Sequence, residues 1–182
     1  LYTDGRIITG LCPVLDFQGH HLYRDRREEV PSGEVSRRLK AYYTPYHDAL
    51  GEILRDSISQ FGKVLLWDCH SIRQYVPTIH AQPFPDLILG DNDGNSAGTL
   101  LTEIASKSLP DGEYSFRNNF LFKGGYITRH YGNPGENQHA LQLEMTKVNY
   151  MDDDQVLFDA RRAGKMQEHL KRMFDKLITA LT

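Results

Sequence analysis

The spacing of apolar residues changes along this chain, and each change predicts a new element. From Pro31 onward, Val35, Leu39, Tyr42, Tyr46, Ala49, Leu50, Ile53, Leu54, Ile58 and Phe61 recur at three- and four-residue steps, the period of one helix face, with Ser32 placed to cap the start. Pro45 lies inside this run and is expected to kink or divide the helix, because proline lacks an N–H and crowds the turn before it. Residues 64–67 (VLLW) are continuously apolar, the pattern of a central strand covered on both faces. Residues 86–90 (DLILG) repeat that signature, and a helical spacing follows around Leu100, Leu101, Ile104 and Ala105. Two more strands are predicted at 114–122 and 139–145, separated by the glycine-rich KGGYITRHYGNPG. A last helix, from about 159 to 181, carries Met166, Leu170, Met173, Phe174, Leu177, Ile178 and Leu181 on one stripe. Residues 1–30 hold turn signals (Asp4-Gly5, Cys12-Pro13, Gln18-Gly19) with little periodicity and read as an irregular surface segment.

Helices alternating with short apolar strands predict an α/β fold, a mixed and largely parallel sheet flanked by helices. In that class ligands bind beyond the carboxyl ends of strands. With 182 residues, 40% hydrophobic and 25% charged, the composition suits one soluble domain spanning 1–182. A net charge of −3 gives no electrostatic attraction for nucleic acid or an anionic membrane, so neither is an expected partner. No apolar stretch approaches the roughly 18–20 residues that span a bilayer. Two cysteines are too few for a disulfide framework, Cys69 is expected to be a buried free thiol, and a reducing, cytoplasmic setting is expected. The opening residues LYTDGRIITGLCP contain no initiator Met and read as the middle of a loop or strand, so an N-terminal truncation is expected.

The candidate chemistry begins in KVLLWDCHS, residues 63–71, where an apolar run ends in Asp68 and His70. Period-two geometry points both to one side. Such a pair serves as a metal ligand with an orienting acid, as a general base or proton carrier, or simply as a tie for the loop. In HALQLEM, residues 139–145, alternation puts Ala140, Gln142 and Glu144 on one face. A carboxylate at such a strand end, among apolar neighbours, can have its pKa raised into the range of a general base; the alternative is a salt-bridged edge residue. Arg129, beyond the paired glycines of FLFKGGYITRHYG, is either a two-donor clamp for a substrate carboxylate or an exposed hairpin residue. Residues 91–95 (DNDGN) do not make a calcium loop, because Gly94 is out of register and Thr102 stands at the twelfth position. Asn92 still sits at a strand exit, where it can line a pocket.

Longer motifs carry a resemblance. WDCHSIR (67–73), PFPDLILGDNDG (83–94), FKGGYITRHYGNPGENQHALQLEM (122–145) and the following NYMDDD closely resemble the N-formylglutamate amidohydrolase family, with order and spacing matched from GLCPVLDFQGHHLYRD (10–25) to the last helix. The resemblance implies a zinc-dependent hydrolase with a zinc-carboxypeptidase-like (phosphorylase/hydrolase-like) fold. The small-molecule substrate it implies is N-formyl-L-glutamate, cleaved to formate and L-glutamate in histidine breakdown. It makes His70 a zinc ligand, with Asp68 behind it, and Glu144 the carboxylate that activates water. The family's first metal-binding His and its acidic partner lie in an N-terminal portion with no counterpart here, so the remaining zinc ligands are expected to be missing, unless His80, His130 or His139 replaces one. Arg129 or Arg73 is expected to bind a substrate carboxylate, Asn92 to orient it, and Gly125 to admit close backbone approach. The alternatives are another metal-dependent N-acyl-amino-acid amidohydrolase and a non-enzymatic binding domain of the same fold.

Overall fold

The computed structural model describes residues 11–182 apart from 17 and 111; the turn signal at Asp4-Gly5 falls outside the described residues. Two compact units are present, one from the described part of Leu1–Ile53 with Val76–Ala81, the other from Leu54–Tyr75 with Gln82–Thr182.

In the first unit, the turn signal at Gln18-Gly19 is realised. The Asp16 carboxylate accepts the N–H groups of Gln18 and His20, and Gly19 takes a φ of 84°. The predicted long helix forms as α1 (Ser32–Arg38), a π turn (Leu39–Tyr43) and α2 (Thr44–Phe61), of which the residues from Leu54 onward belong to the second unit. The α-helical pattern is divided just ahead of Pro45, which takes the second position of α2. An α-helical proline would crowd the carbonyl four residues earlier, and the π turn just ahead shifts that register, with the Thr44 N–H donating to Leu39 O.

The second unit holds a four-stranded sheet in the order β1-β4-β2-β3, from β1 (Val64–Ile72), β2 (Leu87–Gly90), β3 (Phe116–Asn118) and β4 (Gln138–Thr146). β4 runs parallel to β1 and antiparallel to β2, and β3 runs parallel to β2, so the sheet is mixed and mostly parallel as the sequence predicts. Among the described residues β1 is an edge strand, not the central one its apolar run predicts; β4 holds the interior place and is buried along nearly its whole length. The strand expected at 114–122 shortens to β3, because Asn119 and Leu121 turn to φ values of 52° and 62°, outside strand geometry. The glycine-rich segment predicted only as a connection contains a helix, α4 (Tyr126–Tyr131), whose Thr128 and Tyr131 are buried.

Leu87 and Leu89 of β2 and Leu141 and Leu143 of β4 face one side of the sheet. There they form a core with Leu101 and Ala105 of α3 (Thr99–Ser108) and Met166, Met173 and Leu177 of α5 (Ala160–Leu181). Each fully buried leucine contributes about 1.5–3 kcal/mol by leaving water. Asp159 caps α5, its carboxylate accepting the N–H groups of Arg161 and Arg162. With the odd-numbered residues of β4 committed to this core, its even-numbered residues point to the opposite face, where α4 packs against β4 and β1. No helix among the described residues is long and apolar enough to cross a membrane.

Candidate active site

The parallel register sets Asp68 opposite Gln142 and His70 opposite Glu144, so the polar ends of β1 and β4 lie side by side on the face away from the core. Asp68 and His70 are joined directly, His70 Nε2 lying 2.9 Å from Asp68 Oδ2. Their environments differ from that of Glu144. The His70 side chain is 44% exposed and that of Asp68 13%, whereas Glu144 is only 6% exposed, flanked by Ile88 on β2.

Those differences set the protonation chemistry. Burial pushes the Glu144 carboxyl up to about 7; the His70 charge pulls it down in part, and Asp68 adds to the rise. His70 is raised from the ordinary imidazole range, chiefly by its hydrogen bond to Asp68, with the charges of Asp68 and Glu144 adding to the effect against desolvation. The cluster thus pairs a carboxyl that gains and loses a proton near neutrality with an imidazole held toward its cationic form. A general base needs that poise.

The glycines of the 123–125 loop are explained by the same face. A Cβ on Gly90 of β2 would meet Gly124 N at 2.7 Å and the Lys123 carbonyl carbon at 2.8 Å, so the loop backbone lies directly on the strand. Gly124 takes a φ of 124° with Thr128 close beside it. The Gly125 N–H donates to Gln142 Oε1 at 2.6 Å, and Arg129 Nη1 donates to Gly124 O at 2.6 Å. Arg129 is therefore a brace for the loop. Arg73 is exposed and immediately follows β1. Asn92 lies in the turn beyond Gly90, the end of β2, which runs antiparallel to β4 with Ile88 opposite Glu144 and Gly90 opposite Gln142. Its N–H donates to Lys123 O at 2.6 Å. Gln142 is the site-face residue not singled out from sequence; its signal was the period-two position two before Glu144, facing a loop of glycines.

Cys69 is exposed rather than buried. Its thiol is raised by partial desolvation and by the Asp68 charge, which suppresses the thiolate and disfavours a nucleophilic role. A catalytic zinc is held by three protein ligands. Among the described residues no group of three His, Cys, Asp or Glu side chains is arranged to hold a metal, and the His70 Nε2 already meets Asp68, which leaves Nδ1. His139 is turned away, its Nδ1 accepting the Gly98 N–H at 3.2 Å beside the start of α3, and His130 stacks on Tyr126. The described donors do not fit a zinc ion by themselves.

Known proteins share this arrangement of sequence and fold. The chain is 43% identical over 147 residues to N-formylglutamate deformylase of Pseudomonas aeruginosa, a match covering 80% of this chain and 54% of that protein. It is 40% identical over 173 residues to N-formylglutamate deformylase of Pseudomonas putida, covering 93% of this chain and 64% of that one. The chain thus spans between half and two thirds of the length of these relatives. Among solved structures, it is similar to the N-formylglutamate amidohydrolase of Ralstonia eutropha JMP134, with a TM-score of 0.70 at 26% identity, covering 81% of this chain and 55% of that one. A gene product of Agrobacterium tumefaciens shares the fold at a TM-score of 0.65 and 16% identity, covering 91% of this chain and 62% of that one. The model of the N-formylglutamate amidohydrolase family matches residues 5–151, and the chain belongs to that family.

Proposed function

We propose that Asp68, His70 and Glu144 form the proton-handling part of a site that hydrolyses N-formyl-L-glutamate to formate and L-glutamate, a cytoplasmic step of histidine breakdown, on a zinc-carboxypeptidase-like scaffold. The observation that carries this is the buried Glu144 carboxyl, raised to about 7 beside His70. The names of the Pseudomonas relatives and of the family support the substrate. Zinc is proposed only as the family's expected cofactor; the described donors do not complete its shell.

In the proposed reaction, ionised Glu144 takes a proton from the attacking water as its oxygen bonds to the formyl carbon. It then returns that proton to the amine nitrogen as the C–N bond breaks. Protonated His70, fixed by Asp68, faces the charge that develops beside Glu144. Arg73 or Arg129 binds the substrate carboxylate, Arg129 while its Nη1 also holds Gly124 O; Asn92, bonded to Lys123 O, acts through the loop, and Gly125 sets its close approach.

Release of the free amino acid from N-formyl-L-glutamate, N-acetyl-L-glutamate and N-formyl-L-leucine, measured on the protein as the cell makes it with and without added zinc, tests the proposal. Turnover of the first well above the other two is expected. Faster turnover of the acetyl substrate would make it an amidohydrolase of different acyl preference, and binding without turnover of any would make it a binding domain.

A further inference from the structure

The structure assigns to Gln142 a role in the site: we infer that it is a positioning residue, holding the 123–125 loop against the sheet so that the loop backbone forms one wall of the substrate site. The role rests on the proposed hydrolase activity. Gln142 is 4% exposed, on the strand that ends in Glu144 and directly opposite Asp68. A polar amide at so buried a strand position needs a partner, and it finds one across seventeen residues, where its Oε1 accepts the Gly125 N–H at 2.6 Å. Because the backbone N–H can only donate, the oxygen must face Gly125, and this fixes the orientation of the amide. Its Nε2 makes no hydrogen bond to the described residues and stays available on the face it shares with Asp68 and Glu144.

The loop is tied along its length: its backbone rests on Gly90 with no room for a Cβ, Lys123 O accepts the Asn92 N–H, Arg129 Nη1 holds Gly124 O, and Gln142 holds the Gly125 N–H. The first three fix residues 123 and 124. The Gly125 carbonyl begins α4 by accepting the Arg129 N–H, and Gln142 is the contact from the sheet that fixes the Gly125 N–H; a Cβ at Gly125 would meet Gln142 Oε1 at 3.1 Å. The linkage gives the QLE segment of β4 two tasks on one face, with Glu144 moving the proton and Gln142 setting the wall beside it. Substrate binding is the property such a wall controls.

The test compares Gln142→Met, which keeps length but removes the acceptor, with Gln142→Glu, which restores it, and with Glu144→Gln as a control on the reaction itself. Loss of this buried bond is expected to raise KM for N-formyl-L-glutamate by about 5- to 30-fold, with kcat changed much less. Amide hydrogen exchange at Gly125 should be faster in the Met variant and slow again in the Glu variant. An unchanged KM and unchanged Gly125 exchange in Gln142→Met would overturn the role even if Glu144→Gln abolishes turnover. Full activity in Glu144→Gln would remove Glu144 as the base, and no turnover by the native protein would remove the hydrolase proposal, while in both cases the exchange result would still decide whether Gln142 holds the loop.

Discussion

Strands β1 and β4 carry similar sequence patterns, an apolar run giving way to ionisable groups, yet the sheet treats them differently. β4 lies between two strands and is buried nearly throughout, while β1 lies at the edge of the described sheet with its last residues half in water. Glu144, buried, is governed by desolvation; His70, partly exposed, is governed by its hydrogen bond to Asp68. Both adjacent groups are therefore raised, the acid by burial and the imidazole by the carboxylate bonded to it. Position in the sheet, more than residue type, sets what each can do.

The sharpest way to break this comparison is Glu144→Gln, which removes the buried acid and leaves its volume. A loss of about 10²- to 10⁴-fold in kcat with N-formyl-L-glutamate is expected if Glu144 is the general base, measured by formate release. Stability should show the same asymmetry between the strands. Leu141→Ala in β4 should cost about 2–5 kcal/mol in urea unfolding, and Leu65→Ala, at a partly buried position of β1 opposite His139, distinctly less.

Glu144 also makes a pH prediction. Its folded pKa of about 7 lies above the ordinary 4.5, so the folded state holds this proton after the unfolded state has released it. Stability from this group is complete below 4.5 and is lost as pH rises to 7, by about 3 kcal/mol at most. Thermal unfolding of the native protein should lose stability over that window relative to Glu144→Gln, and parallel profiles would contradict it. The smallest effect is expected at Asp68→Asn. Removing the hydrogen-bonded carboxylate should lower the His70 pKa toward the ordinary imidazole value, read by NMR titration of the ring protons.

Much of this arrangement is legible in the sequence for identifiable reasons. The helices at 32–61 and 159–181 announce themselves because three- and four-residue apolar spacing persists over many turns. Asp68, His70 and Glu144 can be placed on strand ends because period two fixes which face they share. The edge position of β1 cannot be read, since a four-residue apolar run looks the same at an edge as in a centre. Helix α4 is only six residues long, too short to establish a period between its flanking glycines. The direction of β2 is also silent in DLILG, and that direction is what sets Ile88 opposite Glu144 and Gly90 opposite Gln142. Gln142 was missed because its partner lies seventeen residues away in a loop whose docking only the folded sheet defines.

The central claim is that burial at the end of β4 poises Glu144 as a base near neutrality, and its most direct test is a ¹³C NMR titration of the Glu144 side-chain carboxyl in the native protein. The account predicts a midpoint of about 7. A midpoint at the ordinary glutamate value of about 4.5 would leave the carboxylate fully ionised throughout the neutral range and contradict it.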